Sequence, residues 1–168
     1  TIERTGYRPS FDVCGLWSGY QGEGAKTVIP SKAYAKISSR LVPHQDYKKI
    51  GQLVVDYFNK VAPDTVSVKI EMLHGGYGYV CPIDFPAYKA AERGFEAVFG
   101  KRPLPVRIGG SIPIISTFEK LLGVKTVLMG FGLESNAIHS PNENMPVDLW
   151  LKGIETIINF HLEYDKEA

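Results

Sequence analysis

The chain has 168 residues, 44% hydrophobic and 22% charged, a balance that suits a soluble globular protein of one ordinary domain or two small lobes. A formal net charge of +1, with no block of Lys or Arg, excludes a strong electrostatic draw to nucleic acid or to an anionic membrane surface. No apolar run reaches the ~18 residues of a membrane span, and the two cysteines, Cys14 and Cys81, form no CxxC, which excludes a finger-type thiolate metal site.

Both cysteines read as buried, reduced thiols of a cytoplasmic protein. The chain begins at Thr1 with neither Met nor a signal-like segment, and is expected to be a piece of something longer. Ser10–Trp17 has a short β-leaning core, followed by the glycine-rich SGYQGEGAK. Thr27–Pro43 reads as a long strand. Past Pro30, Ala33, Ala35, Ile37 and Ser39 alternate with Tyr34, Lys36, Ser38 and Arg40, as one half-buried face requires. Pro30 cannot donate to a ladder, so the strand bends or lies at an edge there. Ile50, Leu53, Val54, Tyr57, Phe58 and Val61 recur at helical spacing, with Asp46 placed in the first turn where the dipole favours it. Val66–His74 alternates like a strand. The first half is therefore expected to be α+β, an antiparallel sheet backed by helix.

Gly75–Asp84 reads as a linker. Beyond it come a helix from Pro86 to a Gly100 stop, a short strand LPVRI, and a helix ending at Gly123 with Ser111 as N-cap and Pro113 in its first turn. The continuous apolar run Val124–Phe131 has the character of a parallel strand buried on both faces. A last helix runs from Val147 to about His161, with Val147, Trp150, Leu151, Ile154, Ile157, Ile158 and Leu162 as its apolar face. The second half thus reads as layered α/β.

His139 lies in the loop after the apolar run, where α/β sheets bind ligands. A neutral imidazole there can ligate a metal or act as a base, and it can equally cap a Ser-Pro-Asn turn. Neither Glu134 nor Glu143 stands at a spacing that fixes it as a partner. Gly109-Gly110-Ser111 sits at a strand-to-helix turn that either receives a carboxylate or phosphate on its N–H groups or is a plain tight turn. It has neither the Lys of a P-loop nor a GxGxxG. Arg40 ends an alternating strand, as a bidentate carboxylate clamp or as a solvated surface residue. Thr27 follows the glycine loop, and His74 ends a strand before Gly-Gly.

GAKTVIPSKAYAKISSRLVPHQD, MLHGG, GGSIPI and HSPNE occur in an order and spacing that resemble the carnosinase-like metallodipeptidases. These belong to the group that includes aminoacylases, acetylornithine deacetylase and succinyl-diaminopimelate desuccinylase. The resemblance covers about Phe11 to Tyr164. It implies a two-metal hydrolase of dipeptides with an inserted lid that makes a homodimer. Residues 8–76 look like the later part of the lid, and residues 83–168 look like the C-terminal part of the catalytic domain.

By the same resemblance, His139 is a metal ligand and Arg40 binds the substrate carboxylate. His74 closes over the substrate as a catalytic donor to the oxyanion. Ser111 with Gly109 and Gly110 helps bind the carboxylate, and Thr27 reaches the partner subunit's site. The implied cofactors are two divalent ions, zinc or manganese, and the implied substrate is a small peptide, with no nucleic acid or membrane partner. Ile108 stands where the family often has Glu, in REGGS. The family's other metal ligands and its general-base Glu lie upstream of these residues, so this chain alone is expected to be inactive. A non-catalytic dimerisation or binding module, and a deacylase of N-acyl amino acids, are the other readings the residues allow.

Overall fold

The computed structural model of the chain describes residues 2–108 and 112–167. Its fold is α/β, with a two-stranded antiparallel sheet, and it divides into two compact units. The first comprises residues 1–79 and 107–116, the second residues 80–106 and 117–168.

In the first unit a one-turn helix α1 (Ile2–Gly6) precedes strand β1 (Ser10–Ser18) and strand β2 (Ala33–Arg40). The strands pair antiparallel from Ser10↔Arg40 to Ser18↔Ala33. The register slips between Val13 and Gly15, which leaves Cys14 as the extra residue of a bulge. Its thiol lies 3.4 Å from the Lys36 carbonyl. Trp17 and Tyr34, paired across the ladder, stack at 5.1 Å and 8° and lock the hairpin at the end next to its connecting loop. β2 is shorter than the strand expected from Thr27. Pro30 has no N–H for a ladder, and pairing begins only at Ala33.

Helix α2 (Tyr47–Val61) begins at Asp46, which is the N-cap rather than a first-turn residue. Its carboxylate accepts from the N–H groups of Lys48 at 2.8 Å and Lys49 at 3.3 Å, satisfying two donors the helix leaves unpaired. Phe58 of α2 stacks on Phe11 of β1 with centroids 6.4 Å apart. Around that contact lies an open apolar groove of about 220 Å³ lined by Phe11, Ile50, Leu53, Val54, Tyr57 and Phe58.

The second unit is built on helices α3 (Pro86–Phe99) and α5 (Val147–Asp165). Pro86 opens α3, and Gly100 closes it at φ 68°, a left-handed geometry that suits glycine. Helix α4 (Ile114–Leu122) begins in the first unit and ends in the second. The two long helices meet through small residues: Ala90, Ala91 and Gly94 on α3 are buried, as are Gly153 and Thr156 on α5. A Cβ added to Gly94 would stand 3.0 Å from the Phe160 nitrogen and 3.1 Å from the Thr156 oxygen, so backbone meets backbone there. Phe131 stacks on Phe95 at 5.2 Å and also presses on Gly153. Arg93 ties the far end by hydrogen bonds to Glu163 at 2.7 Å and Glu167 at 2.6 Å. Lys166 first, and Arg93 second, hold the Glu163 carboxyl below its usual range.

Several expectations are corrected. Val66–His74, Leu104–Ile108 and Val124–Phe131 carry no ladder among the described residues, because a strand needs a neighbour and this chain pairs only β1 with β2. α5 extends to Asp165, four residues further than expected. Its apolar stripe does not face α3. Val147, Trp150, Leu151, Ile154, Ile157, Ile158 and Leu162 are 39–69% exposed, while the small-residue face is buried. Neither cysteine is buried: Cys14 is exposed and Cys81 is half-buried.

Two effects compete at Gly94. Alanine gains about 1 kcal/mol of helix propensity and must push the facing backbone by only a few tenths of an ångström. Valine gains less propensity and overfills the contact, a cost of about 1–3 kcal/mol. Gly94→Ala is therefore expected to melt close to the parent chain, and Gly94→Val distinctly lower, in thermal denaturation followed by circular dichroism. Equal melting of all three would show that the helices do not approach this closely.

Candidate functional site

The site residues of the first unit fall at two ends of its hairpin. Arg40 closes β2 opposite Ser10. The chain then makes a tight loop in which Gln45 donates its N–H to the Val42 carbonyl and returns its side-chain oxygen to the Val42 N–H at 3.0 Å. His44 adopts φ 68° in this loop, which delivers the chain to the Asp46 cap. Arg40 is thus set on a strand end whose continuation is fixed by a cap and a reciprocal turn. Its side chain is exposed.

His74 is exposed too, and the residues after it pack back onto that loop. A Cβ on Gly75 would stand 2.2 Å from Cδ2 of Tyr47, and one on Gly78 3.4 Å from Cα of Pro43. Tyr47 in turn meets Tyr77 edge-on at 5.0 Å. A Cβ on Gly76 would lie 2.7 Å from the Pro113 ring. The RLVP loop, HGG and Pro113, far apart in sequence, therefore converge at one end of the first unit. At positions 75 and 76 any side chain would have to displace a ring. Gly109, Gly110 and Ser111, expected to help bind the carboxylate, lie outside the described residues. Thr27 is exposed in the loop joining β1 to β2, at the opposite end of the hairpin from Arg40. The hydroxyl of Ser18 closes that loop by donating to the Lys32 carbonyl at 3.0 Å.

The second unit carries His139 in a loop of successive turns. A single 3-10 turn, Glu134–Asn136, starts it. Ser140 N–H donates to Ala137 O at 2.9 Å, Glu143 N–H to Ser140 O at 3.2 Å, and Asn144 N–H back to Asn136 O at 3.0 Å. Ala137, His139 and Asn142 adopt φ of 52°, 61° and 65°. Asn and His enter this region more readily than Ala, but it still costs a non-glycine residue roughly 1–3 kcal/mol, which the loop's hydrogen bonds offset. His139 is exposed, and its imidazole caps none of the described residues.

No three His, Cys, Asp or Glu side chains gather into a metal site among the described residues. The exposed imidazole of His139 would suit one coordination position. The remaining donors of a complete site are not gathered among the described residues, so no chemical step is assigned to a metal here. Sequence reasoning did not find the roles of Asn136, Tyr47 and Pro113. Asn136 has no periodic or motif signature, and the other two matter only through contacts distant in sequence.

The profile of peptidase family M20/M25/M40 matches residues 6–163. A Cys-Gly metallodipeptidase of Candida albicans is 35% identical over 161 residues, 94% of this chain and 33% of that protein. The human β-Ala-His dipeptidase is 31% identical over 159 residues, 92% of this chain and 31% of that protein. The solved structure of the dipeptidase Dug1p from Saccharomyces cerevisiae superposes with a TM-score of 0.83 at 29% identity, covering 99% of this chain and 35% of that one. The chain therefore spans about a third of the length of these relatives.

If the packing around Gly75 holds the His74 segment, Gly75→Ala must displace the Tyr47 ring. A loss of about 1–3 kcal/mol, the range for overpacking, is expected. Near-ultraviolet circular dichroism of the Tyr47–Tyr77 pair should change with it. An unchanged melting temperature and tyrosine signal would show that HGG does not pack on this loop.

Proposed function

The chain belongs to peptidase family M20/M25/M40, and from that premise we propose that it is the lid-side and C-terminal segment of a two-metal dipeptidase. The observation that carries the reading is the convergence of Arg40's loop, His74–Gly76 and Pro113 at one end of the first unit. Residues 8–76 serve as the later part of the lid, and residues 83–168 as the closing part of a layered α/β catalytic domain. The substrate is a dipeptide, in keeping with the Cys-Gly and β-Ala-His relatives.

Each side chain then has a task its chemistry suits. The planar guanidinium of Arg40 binds the substrate's terminal carboxylate with two parallel N–H bonds. His74 donates to the oxyanion of the tetrahedral intermediate. Ser111 and the N–H groups of Gly109 and Gly110 hold the carboxylate alongside Arg40. His139 supplies one ligand to one of two divalent ions, zinc or manganese, and the other ligands come from outside these residues. Thr27, at the far end of the hairpin, reaches the site of a second subunit in a homodimer made through the lid. A cytoplasmic setting agrees with two cysteines outside any CxxC. No described helix is long and apolar enough to cross a membrane.

Two substitutions test this in an enzyme of full family length carrying the segment. Arg40→Lys is expected to lower kcat/KM for a free-carboxylate dipeptide by about 1.5–3 kcal/mol, the worth of charge-assisted hydrogen bonds, because lysine cannot reproduce the bidentate fork. Unchanged kcat/KM would remove Arg40 from the site. His139→Ala is expected to keep fold and dimer while one metal is lost and activity falls by several orders of magnitude. A turn-capping His would instead cost about 1 kcal/mol of stability and leave metal content intact.

A further inference from the structure

The loop that carries His139 contains one buried polar side chain, and it is not the histidine. Asn136 is 3% exposed, whereas His139 is exposed. The Oδ1 of Asn136 accepts the Leu133 N–H at 2.6 Å, and its own N–H donates to the Leu133 carbonyl at 3.0 Å. Its carbonyl accepts the Asn144 N–H at 3.0 Å. One residue thus makes three bonds: two close the turn back to Leu133 at the start of the loop, and its backbone carbonyl joins that turn to Asn144 at the end. His139 lies between those ends, in a left-handed conformation it would not adopt freely. The Asn144 side chain adds a bond to the Asn142 carbonyl at 3.0 Å, bracing the second left-handed turn.

We infer that Asn136 is a positioning residue for His139: its buried side chain holds the turn back to Leu133, and so sets the backbone carbonyl that receives the Asn144 N–H and fixes where the imidazole points. The inference rests on the reading of His139 as a metal ligand, which needs a ring held in place before the ion arrives. Nothing in His139's own contacts supplies that. The turn at Asn136 does, because a buried amide that loses its partner is costly and the backbone of this turn carries the bond to Asn144.

The test uses the isotopically labelled chain, with Asn136→Leu removing the acceptor at similar volume and Asn136→Asp keeping it. In Asn136→Leu, amide exchange at Leu133 and Asn144 is expected to speed up about tenfold, the factor carried by about one net hydrogen bond. The His139 Cα and Cβ shifts should leave the left-handed range, while the amides of α3 and α5 stay as in the parent. Asn136→Asp should restore the loop signals. The inference is overturned if the leucine variant leaves Leu133, Asn144 and His139 unchanged. It is equally overturned if α3 and α5 are loosened as much as the loop, or if aspartate fails to rescue. Metal analysis of His139→Ala in a family-length enzyme carrying the segment separates the two readings. Loss of one metal supports the ligand role, and full metal content contradicts that role while the exchange data still decide the role of Asn136.

Discussion

Two helices can pack with their bulky apolar residues turned elsewhere only if the facing surfaces are small enough for backbones to touch. Gly94 on α3 and Gly153 and Thr156 on α5 meet that condition, and the rest of the second unit follows from it. The contact lies at Thr156 and Phe160 of α5, while Gly153 packs against the Phe131 ring. This packing commits the other face of α5, from Val147 to Leu162, to exposure in this chain. Burying a side chain of that size is worth roughly 1.5–3 kcal/mol, so a stripe of seven is a large driving force left unused. The same holds for the groove between β1 and α2. A segment spanning a third of its relatives has this pattern when the surfaces its apolar faces were selected to meet belong to other residues.

This is also why the sequence was legible in some places and not in others. Helices α2, α3 and α5 could be read because capping, a Pro at the first turn, a Gly stop and a 3.6-residue period are local signals. The hairpin could be read from alternation. Val124–Phe131 has the composition of a buried strand, but a strand is a relation between two segments, and composition cannot supply the second. Which side of α5 is buried could not be read for a related reason. Periodicity finds the apolar face, and it cannot say whether the partner for that face lies within the chain. Burial instead fell to glycine and threonine, which contribute little to a periodicity argument.

The site divides along the same line. Arg40, His74 and His139 stood out through motif and position. What sets them in place did not: the Tyr47 ring against Gly75, the Pro113 ring against Gly76, and the buried amide of Asn136 are tertiary contacts. A single backbone strategy serves both units. An exposed side chain stands beside or within a short loop, and neighbouring contacts hold that loop. In the first unit the rigidity comes from rings packed on glycines, and in the second from hydrogen bonds that hold left-handed residues.

The central claim is that the loop from Leu133 to Asn144 presents His139 to a catalytic metal. Its most direct test is anomalous diffraction at the zinc edge from crystals of a family-length enzyme carrying this segment. The account predicts an anomalous peak about 2.0–2.1 Å from a ring nitrogen of His139, the usual zinc–imidazole distance, with the loop closed through Asn136. A fully occupied metal centre with no ligand from this loop would contradict it.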